Sequence, residues 1–165
     1  MVNTFRSVVL KLCLVAVVAG CAGVTQLAPN ASQADVRGAW GVPTLQAKTA
    51  NGERWTYSTA PMGRQVWLLD FAVDGRLISR VQGLTIERIV QVQNGQTQAE
   101  VEALLGPSYW SLRYPFRQDE LVHIYRFDDI LAPMCFYVGY NEKAVVTSTG
   151  MQEEERSRHR IGRPC

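Results

Sequence analysis

The feature that most constrains this chain is a pattern that it uses twice. Ser32-Gln33-Ala34-Asp35-Val36-Arg37-Gly38-Ala39-Trp40-Gly41 is followed by Pro43, and Thr97-Gln98-Ala99-Glu100-Val101-Glu102-Ala103-Leu104-Leu105-Gly106 is followed by Pro107. An internal repeat demands equivalent surroundings for equivalent elements, so it precedes every other assignment. Each copy carries the local instructions of a short helix. Ser32 or Thr97 can cap the first free amides, and Asp35 or Glu100 three residues on closes a capping box. Val36 with Trp40, and Val101 with Leu104 and Leu105, form an apolar stripe at helical spacing. Gly41 and Gly106 supply the exit, and the proline beyond each forbids continuation.

The parallel extends past the helices. Arg54 to Ser58, Gln65 to Phe71 and Leu77 to Gln82 are rich in β-branched and aromatic residues and read as three strands, with Asp74-Gly75 as a hairpin turn. Leu121 to Phe127, Met134 to Tyr140 and Ala144 to Thr149 hold the same places in the second half, with Asn141-Glu142 at the turn. Thr85 to Gln93 alternates apolar with polar and either extends the first sheet or begins the second unit, ending at the Asn94-Gly95 turn. The expected fold class is α+β: two tandem units of helix plus three-stranded antiparallel meander, their helices packed on one side of the sheets. A unit of about 60 residues makes a marginal core, so the two units are expected to dock into one body.

The first 21 residues address the chain. Arg6 and Lys11 precede an uninterrupted apolar run, Leu12 to Cys21, that closes on Ala19-Gly20-Cys21. Charged start, short apolar middle and small-residue exit describe a secretory signal peptide. The run is shorter than the roughly 20 residues a membrane-spanning helix needs. Val18-Ala19-Gly20-Cys21 resembles the lipobox of bacterial lipoproteins, in which a peptidase cuts before a cysteine already bearing diacylglycerol. That resemblance implies that Cys21 becomes an acylated membrane anchor carrying fatty-acyl chains such as palmitate. Ala22, in place of the aspartate that marks inner-membrane retention, implies the outer membrane with the domain on its periplasmic face. The expected organisation is a signal peptide over 1–20, a lipidated tether over 21–31, repeats over 32–93 and 94–150, and a charged tail over 151–165.

Charge and cysteine content follow from that processing. The sequence has 17 Lys and Arg against 15 Asp and Glu, and removal of Arg6 and Lys11 with the leader leaves 15 against 15. The apparent basicity is a targeting signal and not a nucleic-acid footprint, which would need a clustered positive face. Of four cysteines, Cys13 leaves with the leader and Cys21 is acylated, so Cys135 and Cys165 remain. In an oxidising compartment they form a disulfide or, alternatively, Cys135 is a small core residue within an apolar strand.

Groups able to do chemistry are sparse. His123 lies within a strand and His159 in the charged tail, neither at a recognised spacing from a nucleophile or metal ligand. Asp70 with Asp74, and Asp128 with Asp129, stand at strand ends and turns, where acids serve turn geometry. No catalytic residue, metal, cofactor, nucleic acid or small-molecule substrate is expected. The stretch from Ser108 to Arg117 instead gathers Tyr109, Trp110, Arg113, Tyr114 and Phe116 in a loop, residue types enriched at binding hot spots. Either these residues bind a partner or the aromatics fold back to plug the space between helix and sheet.

Gly95-Gln96-Thr97, Val101, Leu105-Gly106-Pro107, Tyr125-Arg126-Phe127 and Phe136 to Tyr140 resemble the pattern of the SmpA/OmlA (BamE) family, small lipoproteins of the machinery that assembles outer-membrane β-barrels. Ala34-Asp35-Val36, Gly41, Pro43 and Trp55-Thr56-Tyr57 match it more loosely in the first half. Members of that family carry one such unit, and the doubled arrangement is similar to β-lactamase-inhibitor proteins, whose tandem units grip a partner. The resemblance implies a non-catalytic accessory factor that binds an envelope protein in barrel assembly or envelope integrity. The alternative is an inhibitor or binding module for a periplasmic hydrolase.

Overall fold

The computed structural model describes residues 27–114, 117–154 and 165, with the side chains of 117–119 left out of that description. Helix α1 (Gln33–Trp40) precedes a four-stranded sheet of β1 (Leu45–Thr49), β2 (Gly52–Ser58), β3 (Val66–Ala72) and β4 (Leu77–Gln82). The short α2 (Ile86–Ile89) leads to α3 (Gln98–Leu105) and a second sheet of β5 (Trp110–Tyr114), β6 (Arg117–Asp128), β7 (Pro133–Tyr140) and β8 (Val146–Glu153). Both sheets are antiparallel meanders in chain order.

This corrects the expected fold class: the described residues are mostly β, and among them each unit holds four strands instead of three. β1 escaped notice because every one of its residues is exposed, leaving no apolar face to create an alternation. The stretch read as an aromatic loop is the edge strand β5. The alternating stretch over 85–93 does not extend the first sheet but is α2 and a turn: Ile86, Ile89 and Val92 recur every three residues and join the core, while Val90 stays exposed. β8 runs on into the expected tail as far as Glu153.

The helices also differ from expectation in where they sit. α1 covers one face of the first sheet through Val36, against Trp55, Leu69, Phe71 and Leu77. α3 lies between the sheets, its Val101 and Leu105 sharing a core with Val66, Leu68 and Val81 of the first sheet and with Tyr125, Phe127, Phe136, Val138 and Tyr140 of the second. The first sheet is therefore buried on both faces. That is why adjacent residues Leu68 and Leu69, which a strand points in opposite directions, are both inaccessible.

Both capping boxes form, Ser32 with Asp35 and Thr97 with Glu100. Each cap is tied to the last hairpin of its own unit by the same pair of bonds. Gln33 N donates to Gly75 O and Leu77 N to Ala31 O, as Gln98 N donates to Ala144 O and Val146 N to Gln96 O. Gly75 and Ala144 both adopt positive φ, 77° and 56°, at the equivalent turn position. Equivalence therefore extends from helix to hairpin.

Four residues lock α3 to the first sheet. A Cβ on Gly106 would lie 2.4 Å from Val66 Cγ1, and one on Gly83 would lie 2.6 Å from Leu105 O. Arg54 Nη1 donates to Ala103 O at 2.9 Å, and Arg88 donates twice to Leu104 O at 3.0 and 2.6 Å. Two guanidinium groups thus sit at the carbonyl end of α3, where the helix dipole is negative.

Candidate functional site

The repeat places the candidate site. α3 covers the inner face of the second sheet, and the opposite face carries an open groove of about 570 Å³ lined by Tyr114, Glu120, Val122, Tyr137, Gly139, Ser148, Thr149 and Gly150. Strand register explains that composition. Val122 stands beside Gly139, which stands beside Ser148, and Ile124 stands beside Tyr137, which stands beside Gly150. Gly150 leaves its part of the floor bare, since an added Cβ there meets nothing within 4 Å. Over Gly139 the space is taken by the Ser148 hydroxyl and the Glu120 carboxylate.

Trp110 and Leu112 stand beside Ile124 and Val122 on this face, and Tyr114 lines the groove beyond a bulge. Trp110 is 50% and Tyr114 47% exposed, so neither plugs the interior. Arg113, also exposed, is in register with Leu121 and belongs to the other face of β5. Tyr109 is half-buried, with the Arg126 guanidinium 4.8 Å from its ring centre. Thus Trp110 and Tyr114 share the groove face, Tyr109 serves packing and Arg113 points elsewhere. Phe116 and Cys21 lie outside the described residues.

Below the groove Cys135 is joined to Cys165 by a disulfide, with Cα atoms 6.0 Å apart. The Tyr137 hydroxyl donates to Cys165 O at 3.3 Å and accepts from Gln152 Nε2 at 2.6 Å. Cys135 is fully buried, so the core role and the disulfide hold together at one residue. At the same end Glu154 accepts from Arg126 and, at 2.8 Å, from Arg64, which also stands 3.6 Å from Asp128. Burial works to raise the Glu154 carboxyl, but the hydrogen bonds from Arg64 and Arg126 outweigh it and hold it below the usual range. This network ties the β2–β3 loop to the second sheet.

The groups with catalytic potential are otherwise engaged. Arg54 grips both Asp70 oxygens at 2.6 and 2.9 Å, and its hydrogen bonds hold that carboxyl low. Asp74 accepts from Arg76 N in the hairpin turn. His123 is buried beneath α3 beside Tyr125 and Tyr140, its Nδ1 3.8 Å from the Glu102 carboxylate, and burial lowers its pKa. Among the described residues no three His, Cys, Asp or Glu side chains gather as metal ligands, and no helix is long and apolar enough to cross a membrane.

Sequence reasoning missed the groove floor. The signal was present in Phe136-Tyr137-Val138-Gly139-Tyr140, since a glycine inside a strand marks a close approach or an absent side chain.

The chain matches no model of a known protein family and no curated protein. Among solved structures it is similar to the crystal structure of a DUF4309 family protein, YjgB, from Bacillus subtilis, at 19% identity and a TM-score of 0.31, over 79% of this chain and 84% of that one. A likeness that weak carries no argument about fold or function.

Proposed function

We propose that this protein is a lipid-anchored lipoprotein of the bacterial outer membrane, facing the periplasm, that binds another envelope protein without transforming it. The observation that carries the binding reading is the groove on the second sheet. It is open, floored by glycine and flanked by half-exposed Trp110 and Tyr114, aromatic residues of the kind that anchor interfaces. The anchor reading is supported by the leader and by Val18-Ala19-Gly20-Cys21. Two or more acyl chains on Cys21 would hold the chain stably, because each buried methylene contributes about 0.8 kcal/mol. Service to β-barrel assembly or envelope integrity is supported by the resemblance to SmpA/OmlA (BamE) lipoproteins.

The test is made in intact cells. A clickable palmitate analogue is expected to label the wild type and not Cys21→Ser. A photo-crosslinking residue at position 110 or 114 is expected to capture the same outer-membrane assembly protein. Absence of label would overturn the anchor. Crosslinks only to a soluble periplasmic hydrolase would replace the assembly role with inhibition.

A further inference from the structure

The groove corresponds, residue for residue, to a surface that already holds a helix in this same chain. The equivalent hairpin bonds set Leu77 against Val146 and Ala72 against Asn141. Counting along the strands from there pairs Val66 with Cys135, Leu68 with Tyr137, Asp70 with Gly139, Ser79 with Ser148 and Val81 with Gly150. The ladders agree. Asp70 is opposite Ser79 and Leu68 opposite Val81 in the first sheet, as Gly139 is opposite Ser148 and Tyr137 opposite Gly150 in the second. Arg54, beside Asp70, then corresponds to Val122, beside Gly139.

In the first sheet this face receives α3. Leu68 and Val81 share its core, Arg54 donates to Ala103 O, and Val66 meets Gly106 just beyond the helix end. In the second sheet Cys165 is bonded to Cys135, the counterpart of Val66, and fills that end of the footprint. The remainder is the groove.

We propose that the groove docks an amphipathic helix of a partner protein, laid on the second sheet as α3 is laid on the first, with a large apolar side chain seated over Gly150. This deepens the binding function proposed above and rests on it. The exchanges along the footprint describe the occupant. The charged pair Arg54 and Asp70 is replaced by Val122 and Gly139, with the Glu120 carboxylate and Ser148 hydroxyl over Gly139, so the surface asks for an occupant that sets apolar and basic side chains together where the first sheet offers a closed ion pair. Gly150 in place of Val81 leaves room for a side chain larger than those α3 presents. A peptide in extended form would have no counterpart elsewhere in the fold.

The experiment uses the soluble chain from residue 22 onward, with its disulfide formed, and a defined probe. The probe is an amphipathic peptide of about three to four helical turns, made of leucine, alanine and lysine. Its control has one central alanine replaced by proline. Backbone amide shifts are followed by NMR. The helical probe is expected to shift Val122, Tyr137, Ser148 and Gly150, and the proline copy to bind weaker by at least about tenfold, because proline breaks the helix. Gly150→Trp, tolerated because the space is open, is expected to abolish those shifts while leaving the remaining spectrum in place.

Equal binding of the proline copy would overturn the proposal in favour of an extended occupant. Shifts away from the groove, or binding unaffected by Gly150→Trp, would overturn it outright. Concentration-dependent dimers that Gly150→Trp abolishes would assign the groove to a second copy. If the probe fails while position 110 still crosslinks in cells, the helix inference falls and the binding function stands.

Discussion

Arg54 and Asp70 face each other across neighbouring strands with both carboxylate oxygens bonded, while the free end of the same guanidinium reaches Ala103 O. One side chain thereby joins the first sheet to the helix of the second repeat. Arg54→Met keeps the stem but strands a half-buried carboxylate and a helix-end carbonyl. It is expected to cost about 2 kcal/mol, the range for a lost charged hydrogen bond whose partner stays behind. Urea unfolding of the variant measures it.

Two glycines test the joint by comparison. Gly41 and Gly106 leave their helices with nearly the same backbone, φ of 78° and 84°, a region that side chains avoid. An alanine Cβ at position 41 meets nothing, whereas at 106 it runs into Val66. Gly41→Ala is expected to cost about 1–2 kcal/mol of backbone strain, and Gly106→Ala about 3 kcal/mol or more, strain plus overpacking. Equal losses in thermal melts would mean that the repeats are not packed through Gly106.

The Cys135–Cys165 disulfide closes a separation of 30 residues. On the chain-entropy model such a loop contributes about 3–4 kcal/mol. Cys165→Ala is therefore expected to lower the denaturation midpoint substantially and to remove the response to reductant, as read by fluorescence with and without dithiothreitol.

His123 makes stability depend on pH. Burial lowers its pKa, with Glu102 working the other way, and the rings of Tyr125 and Tyr140 stand 6.5 and 5.0 Å from the imidazole. A depressed folded-state pKa means that the unfolded chain takes up the proton first. The contribution is then complete above the ordinary histidine pKa of about 6.5 and is lost as pH falls toward the folded value. The urea midpoint is expected to drop between pH 7.5 and 5.5, and His123→Phe to flatten that slope. Tyr140, which burial pushes up to about 12, works at the other extreme. Unfolded tyrosines ionise near pH 10 while this one does not, so stability falls again as pH rises beyond that value.

What could be read in advance follows from how local each signal is. The helices were legible because Ser32, Asp35 and Gly41, with Thr97, Glu100 and Gly106, act within one turn of chain. β1 was not, since Leu45-Gln46-Ala47-Lys48-Thr49 buries nothing, although Asn51-Gly52 marks its hairpin. Ile86 to Val92 alternates like a strand and also recurs at helical spacing, and only the core it meets decides between them. Trp110 and Tyr114 were singled out by residue type alone. The groove beside them was not, because its bare floor is a side chain that is missing, at Gly150.

Because α3 belongs by sequence to one half and covers a sheet of the other, duplication in the gene does not mean independence in the folded state. The amides of β3, sealed above and below, should be the last to exchange with deuterium, and those of α3 should open at the same free energy. Neither half excised from the chain should survive alone: the molecule reads as two and melts as one.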